Sequence, residues 1–343
     1  MNSYNNEGLR PSFESLTLAR SSTLGTKLHE RNQNSKRGDV LCLDVDGTCY
    51  IRTPQGIYIG PNRDTYSQIK EKNIPLVLST GRPVWTIESD NDFIRSTGLP
   101  APDAVMAGVG TLLYFRNTDG ILVPDVDYFN HMRNQQVGFL SKDPDTLEFR
   151  KSLTAFDPIT IAKKLVPIFQ DFAHFGLSDL LIDPNDGVGN LRLVAQGMEY
   201  PTIHAMKESI YQQVTGLKLH LSEYDHTLPD FNGWIHIIPS QAGKDRAIRY
   251  LMSVLNLAEV TDLNVHIFGD SSLDIPMLAM GVSADDKFNV HQYPVANMAP
   301  TATAQLETVS SLQHSSNSPR KSNITFLNQV GPDAINTVVS TLS

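Results

Sequence analysis

The chain has 343 residues, 40% of them hydrophobic and 19% charged, with a formal net charge of -9. This is enough apolar material for roughly two domains, and no apolar run approaches the roughly 20 residues that span a bilayer; an acidic balance without a long basic run argues against nucleic acid or an anionic membrane as partner. The two cysteines, Cys42 and Cys49, are too few for a disulfide framework or a zinc site and suit reduced thiols in a cytoplasmic protein.

Residues 1–38 are rich in Ser, Asn and Arg and lack sustained apolar periodicity, so they read as a disordered tail. Glu7, Glu14, Glu30 and the Asn cluster argue against an organelle-targeting segment, and there is no apolar stretch for a secretory signal. From Asp39 the pattern is strand, helix, strand, helix. The run Leu41-Cys42-Leu43 is a buried strand that ends in Asp44-Val45-Asp46-Gly47-Thr48. A helix follows over Asn62–Lys72, then a strand over Pro75–Ser79 that ends in Thr80-Gly81-Arg82. Pro83 suits a first-turn position and opens a helix to about Ser96. Pro102–Met106 is a third strand, and Gly108-Val109-Gly110-Thr111 turns the chain into a hairpin.

Residues 126–234 form a long interruption, too large for a loop. Helices are expected over Ile159–Phe172 and Ile203–Val214, and strands over Leu180–Ile182, Leu191–Val194 and Trp234–Ile238. The histidines His204, His220, His226 and His236 show no metal-binding spacing and read as structural or surface groups, and Trp234 as a packing residue. Gln241-Ala242-Gly243-Lys244 opens an amphipathic helix with Ala247, Ile248, Leu251, Val254 and Leu255 on one face. Val265–Gly269 is a strand running into Asp270-Ser271-Ser272-Leu273-Asp274. Ser310–Ser322 reads as a polar loop, Ile324–Leu327 as a short strand and Ala334–Leu342 as a closing helix. The sequon Asn323-Ile324-Thr325 is accidental in a cytoplasmic protein. The sum is an α/β protein: a doubly wound parallel, Rossmann-like sheet from 39–125 and 235–343, with an α+β domain inserted at 126–234.

Two aspartates two residues apart at a strand end offer a nucleophile, a proton carrier and ligands for a hard cation such as magnesium. Strand side chains alternate, so Asp44 and Asp46 share a face while extended geometry persists. Taken alone, the pattern is also compatible with a solvated surface turn. Phosphoryl transfer would use all of these parts. It needs positioning and charge neutralisation more than elaborate covalent machinery.

The four pieces around Asp44, Thr80, Lys244 and Asp270 resemble the four motifs of the haloacid dehalogenase-like hydrolases, over about residues 39–343. The resemblance implies a magnesium-dependent phosphatase acting on a small phosphate ester. It implies Asp44 as nucleophile, Asp46 as general acid and base, and Thr80, Gly81 and Lys244 around the phosphate. Asp44, Asp46 and Asp270 would hold Mg2+, and Asp274 would support the metal or orient Lys244. Leu273 departs from the pattern, which has Asn there. The insertion would be a C2-type cap that selects the substrate. Within the superfamily the look is nearest to sucrose-phosphate phosphatases, through Gly108-Val109-Gly110-Thr111, Phe149-Arg150-Lys151-Ser152 and Ile237–Ala247. Arg82, Arg150 and Lys151 are the candidate substrate contacts. A sugar or polyol phosphate is the expected substrate; a sugar phosphomutase or a non-catalytic homologue are the alternatives. The sequence leaves the oligomeric state open.

Overall fold

The computed structural model describes residues 11–33, 38–52, 58–89, 98–142, 149–182, 191–223, 230–257, 263–281, 288–298, 300–313 and 322–342. Its largest sheet has eight strands. Their order is Ser322–Ile324, Phe288–Pro294, Leu263–Gly269, Gly38–Leu43, Leu76–Ser79, Ala104–Ala107, Leu112–Arg116 and Leu122–Pro124. The first six run parallel, and the last two close one edge as an antiparallel hairpin. The central strands are buried along almost their whole length, which is why they read as continuous apolar runs.

Gly38–Leu43 lies in the middle. The chain leaves it for Leu76–Ser79 on one side and reaches its other neighbour, Leu263–Gly269, only after the insertion. Open α/β sheets bind ligands at such a switch point, outside the carboxyl ends of the strands. The register brings three of those ends level: Leu43 pairs with Leu78 on one side and Phe268 on the other.

The N-terminal segment departs from the expectation of a disordered tail. Residues Phe13–Ser21 and Thr23–Gln33 are helices, the first capped by the Ser12 side chain. Ala19, Leu24 and Leu28 are fully buried, and the first helix packs on the helix Lys244–Leu257. Burying a leucine side chain is worth about 1.5–3 kcal/mol. Polar anchors supply the rest: Lys27 pairs with Asp103 at 2.8 Å, and buried Arg31 pairs with Asp39 at 3.3 Å. Apolar periodicity misses these helices because the buried stripe is short and partly polar.

The insertion forms two further sheets. One has four antiparallel strands, Leu177–Ile182, Leu191–Met198, Phe231–Pro239 and Leu217–Glu223, in that order. The other joins Val214–Thr215, Gln136–Lys142 and Phe149–Ala155. Helices Pro158–Gln170 and Tyr200–Gln213 match the expected ones closely. The strand read as Trp234–Ile238 begins at Phe231 and stays paired in the four-stranded sheet through Pro239. The return to the large sheet therefore falls beyond residue 234.

Near the carboxyl end, three expectations shift. The helix Pro300–Gln313 occupies the start of the expected loop. The short strand is Ser322–Ile324 instead of Ile324–Leu327, and the closing helix is Gly331–Val339. The helix opened by Pro83 is described over Val84–Ser89; its expected continuation through 90–96 and His226 lie outside the described residues.

Candidate active site

Asp44 follows the last residue of the central strand, and its N–H donates to Phe268 O of the neighbouring strand at 3.1 Å. The turn after it depends on Gly47, whose φ is +81°. A Cβ on Gly47 would lie 1.9 Å from Asp270 Oδ2, so only glycine lets the two strand-end loops meet. Thr48 Oγ1 donates to Asp270 Oδ1 at 3.0 Å.

Lys244, the first residue of its helix, is buried between two carboxylates. Its Nζ donates to Asp44 Oδ1 and to Asp274 Oδ1, each at 2.6 Å. Asp274 Oδ2 accepts from Asp270 N at 3.1 Å, Ser271 N at 3.0 Å and Ser271 Oγ at 2.8 Å. Both oxygens of Asp274 are thus engaged, and the residue ties Lys244 to the loop that carries Asp270. Oxygen atoms of Asp44, Asp270 and Asp274 lie within 4.8 Å of one another.

Three carboxylates around one ammonium leave excess negative charge in a buried place. Burial, then the charge of Asp274, pushes Asp44 up to about 7 against the pull of Lys244. Burial, then Asp44 and Asp274, holds Asp270 well above the ordinary carboxylate range. Lys244 is displaced upward: burial opposes its charge, but Asp274 and Asp44 overcome that. A hard divalent cation taking oxygen ligands fits this donor set and would relieve the repulsion.

Thr80 is buried, receives Arg82 N–H on its Oγ1 at 3.0 Å, and is held by its own N–H to Met106 O at 2.8 Å. The Gly108–Gly110 turn clamps this loop: Val109 N donates to Thr80 O at 3.0 Å and Gly108 N to Arg82 O at 3.1 Å. All three turn residues have positive φ, including Val109 at 59°. A β-branched residue there is strained by about 1–3 kcal/mol, the kind of cost that functional loops carry. A Cβ on Gly110 would lie 2.4 Å from Gly243 O, so the same turn also packs on the start of the Lys244 helix.

Asp46 stands apart from this buried cluster. Its side chain is 55% exposed and is gripped by Arg82, with Nε on Oδ2 at 2.8 Å and Nη2 on Oδ1 at 2.7 Å. The Tyr50 hydroxyl contacts both. Desolvation raises the Asp46 carboxyl, but the hydrogen bonds and charge of Arg82, then Tyr50, outweigh it and hold the group below its ordinary value.

The sequence motifs therefore converge on one point: Asp44, Thr80, Lys244, Asp270 and Asp274, with Asp46 and Arg82 at the rim. Arg150 and Lys151 are exposed on a strand of the three-stranded sheet. Adjacent strand residues project to opposite faces, so the two cannot both face the site. Three contributors carry no motif signal: Tyr50, Asn297 and His236. Asn297 Nδ2 donates to Gly47 O at 2.8 Å, and its Oδ1 accepts from Gly331 N at 2.9 Å, pinning the Asp44 loop to the closing helix. Leu273 is buried in the apolar core. His236 reaches the site from the four-stranded sheet: a Cβ on Gly81 would lie 3.4 Å from its Cε1.

Residues 38–138 match the family model of sucrose-6F-phosphate phosphohydrolase. No curated protein matches the chain. Among solved structures, the sucrose-phosphatase of Synechocystis sp. PCC6803, in complex with sucrose and phosphate, is similar at 14% identity and a TM-score of 0.54, over 89% of this chain and 97% of that one. A haloacid dehalogenase-like hydrolase protein from Bacillus subtilis is 14% identical with a TM-score of 0.44, over 92% and 98%. The family match covers less than a third of the chain, and the likeness to the Synechocystis structure shows a shared fold, an α/β core with an inserted second domain. Both cysteines are free and buried, and no helix among the described residues is long and apolar enough to cross a membrane.

Proposed function

We propose that the protein is a magnesium-dependent phosphatase that hydrolyses a sugar phosphate or related small phosphate ester through an aspartyl phosphate. The observation that carries this is the buried Asp44–Lys244–Asp274 chain of 2.6 Å contacts at the switch point of the sheet, beside Asp270. It sets one carboxylate ready to attack and one fixed cation beside it.

In the first step an Asp44 oxygen bonds to phosphorus as the bond to the ester oxygen breaks. Asp46 gives its proton to the leaving alcohol. In the second step water bonds to phosphorus, Asp46 takes a proton from that water, and the bond to Asp44 breaks, restoring the carboxylate. Lys244 offsets the repulsion between Asp44 and the incoming phosphate. The Thr80 hydroxyl and the Gly81 backbone N–H would donate to phosphate oxygens. Asp44, Asp270 and the backbone carbonyl of Asp46 would hold the magnesium ion, while Asp274 orients Lys244. When bound, the cation supplies charge neutralisation for nucleophile and phosphate. The C2-type cap reading of the insertion, about 126–234 with its last strand extended to Pro239, gives the substrate-selecting lid.

The test is phosphate release from a panel of sugar, polyol and glycerate phosphates with magnesium, with a chelator, and with magnesium restored. Release that stops with the chelator and returns with magnesium supports the reading. Full release in the chelator would contradict the metal requirement, and isomerised sugar phosphate without free phosphate would favour a mutase.

A further inference from the structure

The four-stranded sheet has two unlike faces. One carries Leu191, Leu193, Leu219, Ile235 and Ile237, all buried. The other carries the alternate positions, and its middle is a row of nitrogen-bearing side chains. Arg192 pairs with His236, and His236 pairs with His220, in direct cross-strand register. Opposed side chains on adjacent strands start about 4.5–5.5 Å apart, so the three form one continuous line.

This face lies over the catalytic loops. Ser272 Oγ, between Asp270 and Asp274, donates to Leu221 O at 2.7 Å. Lys218 Nζ donates to Ala242 O, two residues before Lys244, at 3.1 Å. The His236 ring stands beside Gly81. A phosphate received by Thr80, Gly81 and Lys244 would therefore extend its ester group toward the row.

On the three strands Leu191–Met198, Leu217–Glu223 and Phe231–Pro239 the charge of this face is one-sided. Their positions 192, 194, 218, 220, 222, 232, 234, 236 and 238 include no carboxylate. Arg192 places its guanidinium over the Trp234 ring, 5.0 Å from the centroid, which fixes the planar fork. Burial, then the cations Lys218, Lys207 and Lys244, depresses His220 to about 4, and burial, then Arg192, keeps His236 neutral. Both imidazoles are thus hydrogen-bonding groups in a cationic field. His220 Nε2 is buried and has no hydrogen-bond partner among the described residues, which points to a missing ligand atom. A neutral polyol gains nothing from the charge of this surface, whereas an anion matches it.

We propose that the Arg192–His236–His220 row binds a second anionic group, a carboxylate or a second phosphate, on the ester that the site hydrolyses. This rests on the phosphatase reading and narrows its substrate class to acidic esters.

The test compares catalytic efficiencies of the full chain with magnesium on matched pairs. Gluconate phosphate against sorbitol phosphate probes the carboxylate. Fructose bisphosphate against fructose monophosphate probes the second phosphate. p-Nitrophenyl phosphate reports the core chemistry. The acidic member of one pair should be preferred by roughly tenfold to a hundredfold, the worth of a charge-assisted hydrogen bond. Arg192→Met should collapse that ratio toward one, and His220→Gln should lower it. Ratios near one in both pairs for the unaltered protein, with p-nitrophenyl phosphate still hydrolysed, would overturn the inference and leave the phosphatase reading standing. A ratio that neither substitution moves would also overturn it. No release from any ester would overturn the phosphatase reading itself, and this inference with it.

Discussion

Arg82 holds both oxygens of Asp46, at 2.8 and 2.7 Å, in a paired hydrogen-bonded ion pair at the rim of the site. That pair must part before Asp46 can carry a proton to a leaving group. Arg82 stabilises the carboxylate over the acid, so the protonated form becomes scarce at a lower pH than it otherwise would. In Arg82→Met the carboxyl rises toward its ordinary range. The fall of kcat/KM at high pH, where the acid form is lost, should then begin at a higher pH, whatever happens to the absolute rate. A pH profile whose basic limb does not move, or moves downward, would contradict Asp46 as the acid that Arg82 controls.

Asp274 can be separated from the metal ligands by its effect on magnesium. Its two oxygens serve Lys244 and the loop of Asp270 and Ser271. Asp274→Asn should lower kcat by roughly a hundredfold or more, in the range of losing a preorganised electrostatic group. The magnesium concentration for half-maximal rate should change far less. A large rise in that concentration with little loss of kcat would make Asp274 a direct ligand.

The N-terminal helices should contribute to stability directly. Arg31→Met leaves Asp39 buried with one ion-pair partner fewer, since His266 Nε2 remains at 3.3 Å from the other oxygen. Removing one partner of a buried ion pair costs about 3–5 kcal/mol. Denaturant unfolding checks this, and a loss under about 1 kcal/mol would mean that the segment is only loosely attached.

These helices also show where sequence reading stops. Leu24 and Leu28 are four apart, but the other inward positions include Ser15 and Arg31, which look like surface residues in a pattern of apolar spacing. Their partners Asp125 and Asp39 lie far along the chain or in another element. The cluster of Asp44, Lys244, Asp270 and Asp274 was legible because each member stands at the end of an apolar strand or the start of an amphipathic helix, within a short continuous motif. Asn297 and His236 were not legible, because each reaches the site through a fold contact with no local spacing to mark it. The strand Leu217–Glu223 does carry a signal: Leu217, Leu219 and Leu221 alternate with Lys218, His220 and Ser222.

Acid sensitivity should trace in part to His220. Burial, then Lys218, Lys207 and Lys244, depresses its pKa from 6.5 to about 4. Between those values the unfolded chain binds a proton that the folded chain does not. Stability from this group is therefore complete above about pH 6.5 and is lost as the pH falls toward 4. His220→Gln should flatten the decline of the unfolding midpoint over that window. An unchanged slope would show that His236 or other groups set it.

The central claim is that Asp44 itself takes up the phosphoryl group. The most direct measurement is the mass of the peptide containing Asp44, from protein quenched in acid during turnover with magnesium. The account predicts one added phosphoryl group on Asp44, and neither adduct nor phosphate release in a folded Asp44→Asn protein. Steady turnover in Asp44→Asn, or an adduct on another residue, would contradict it.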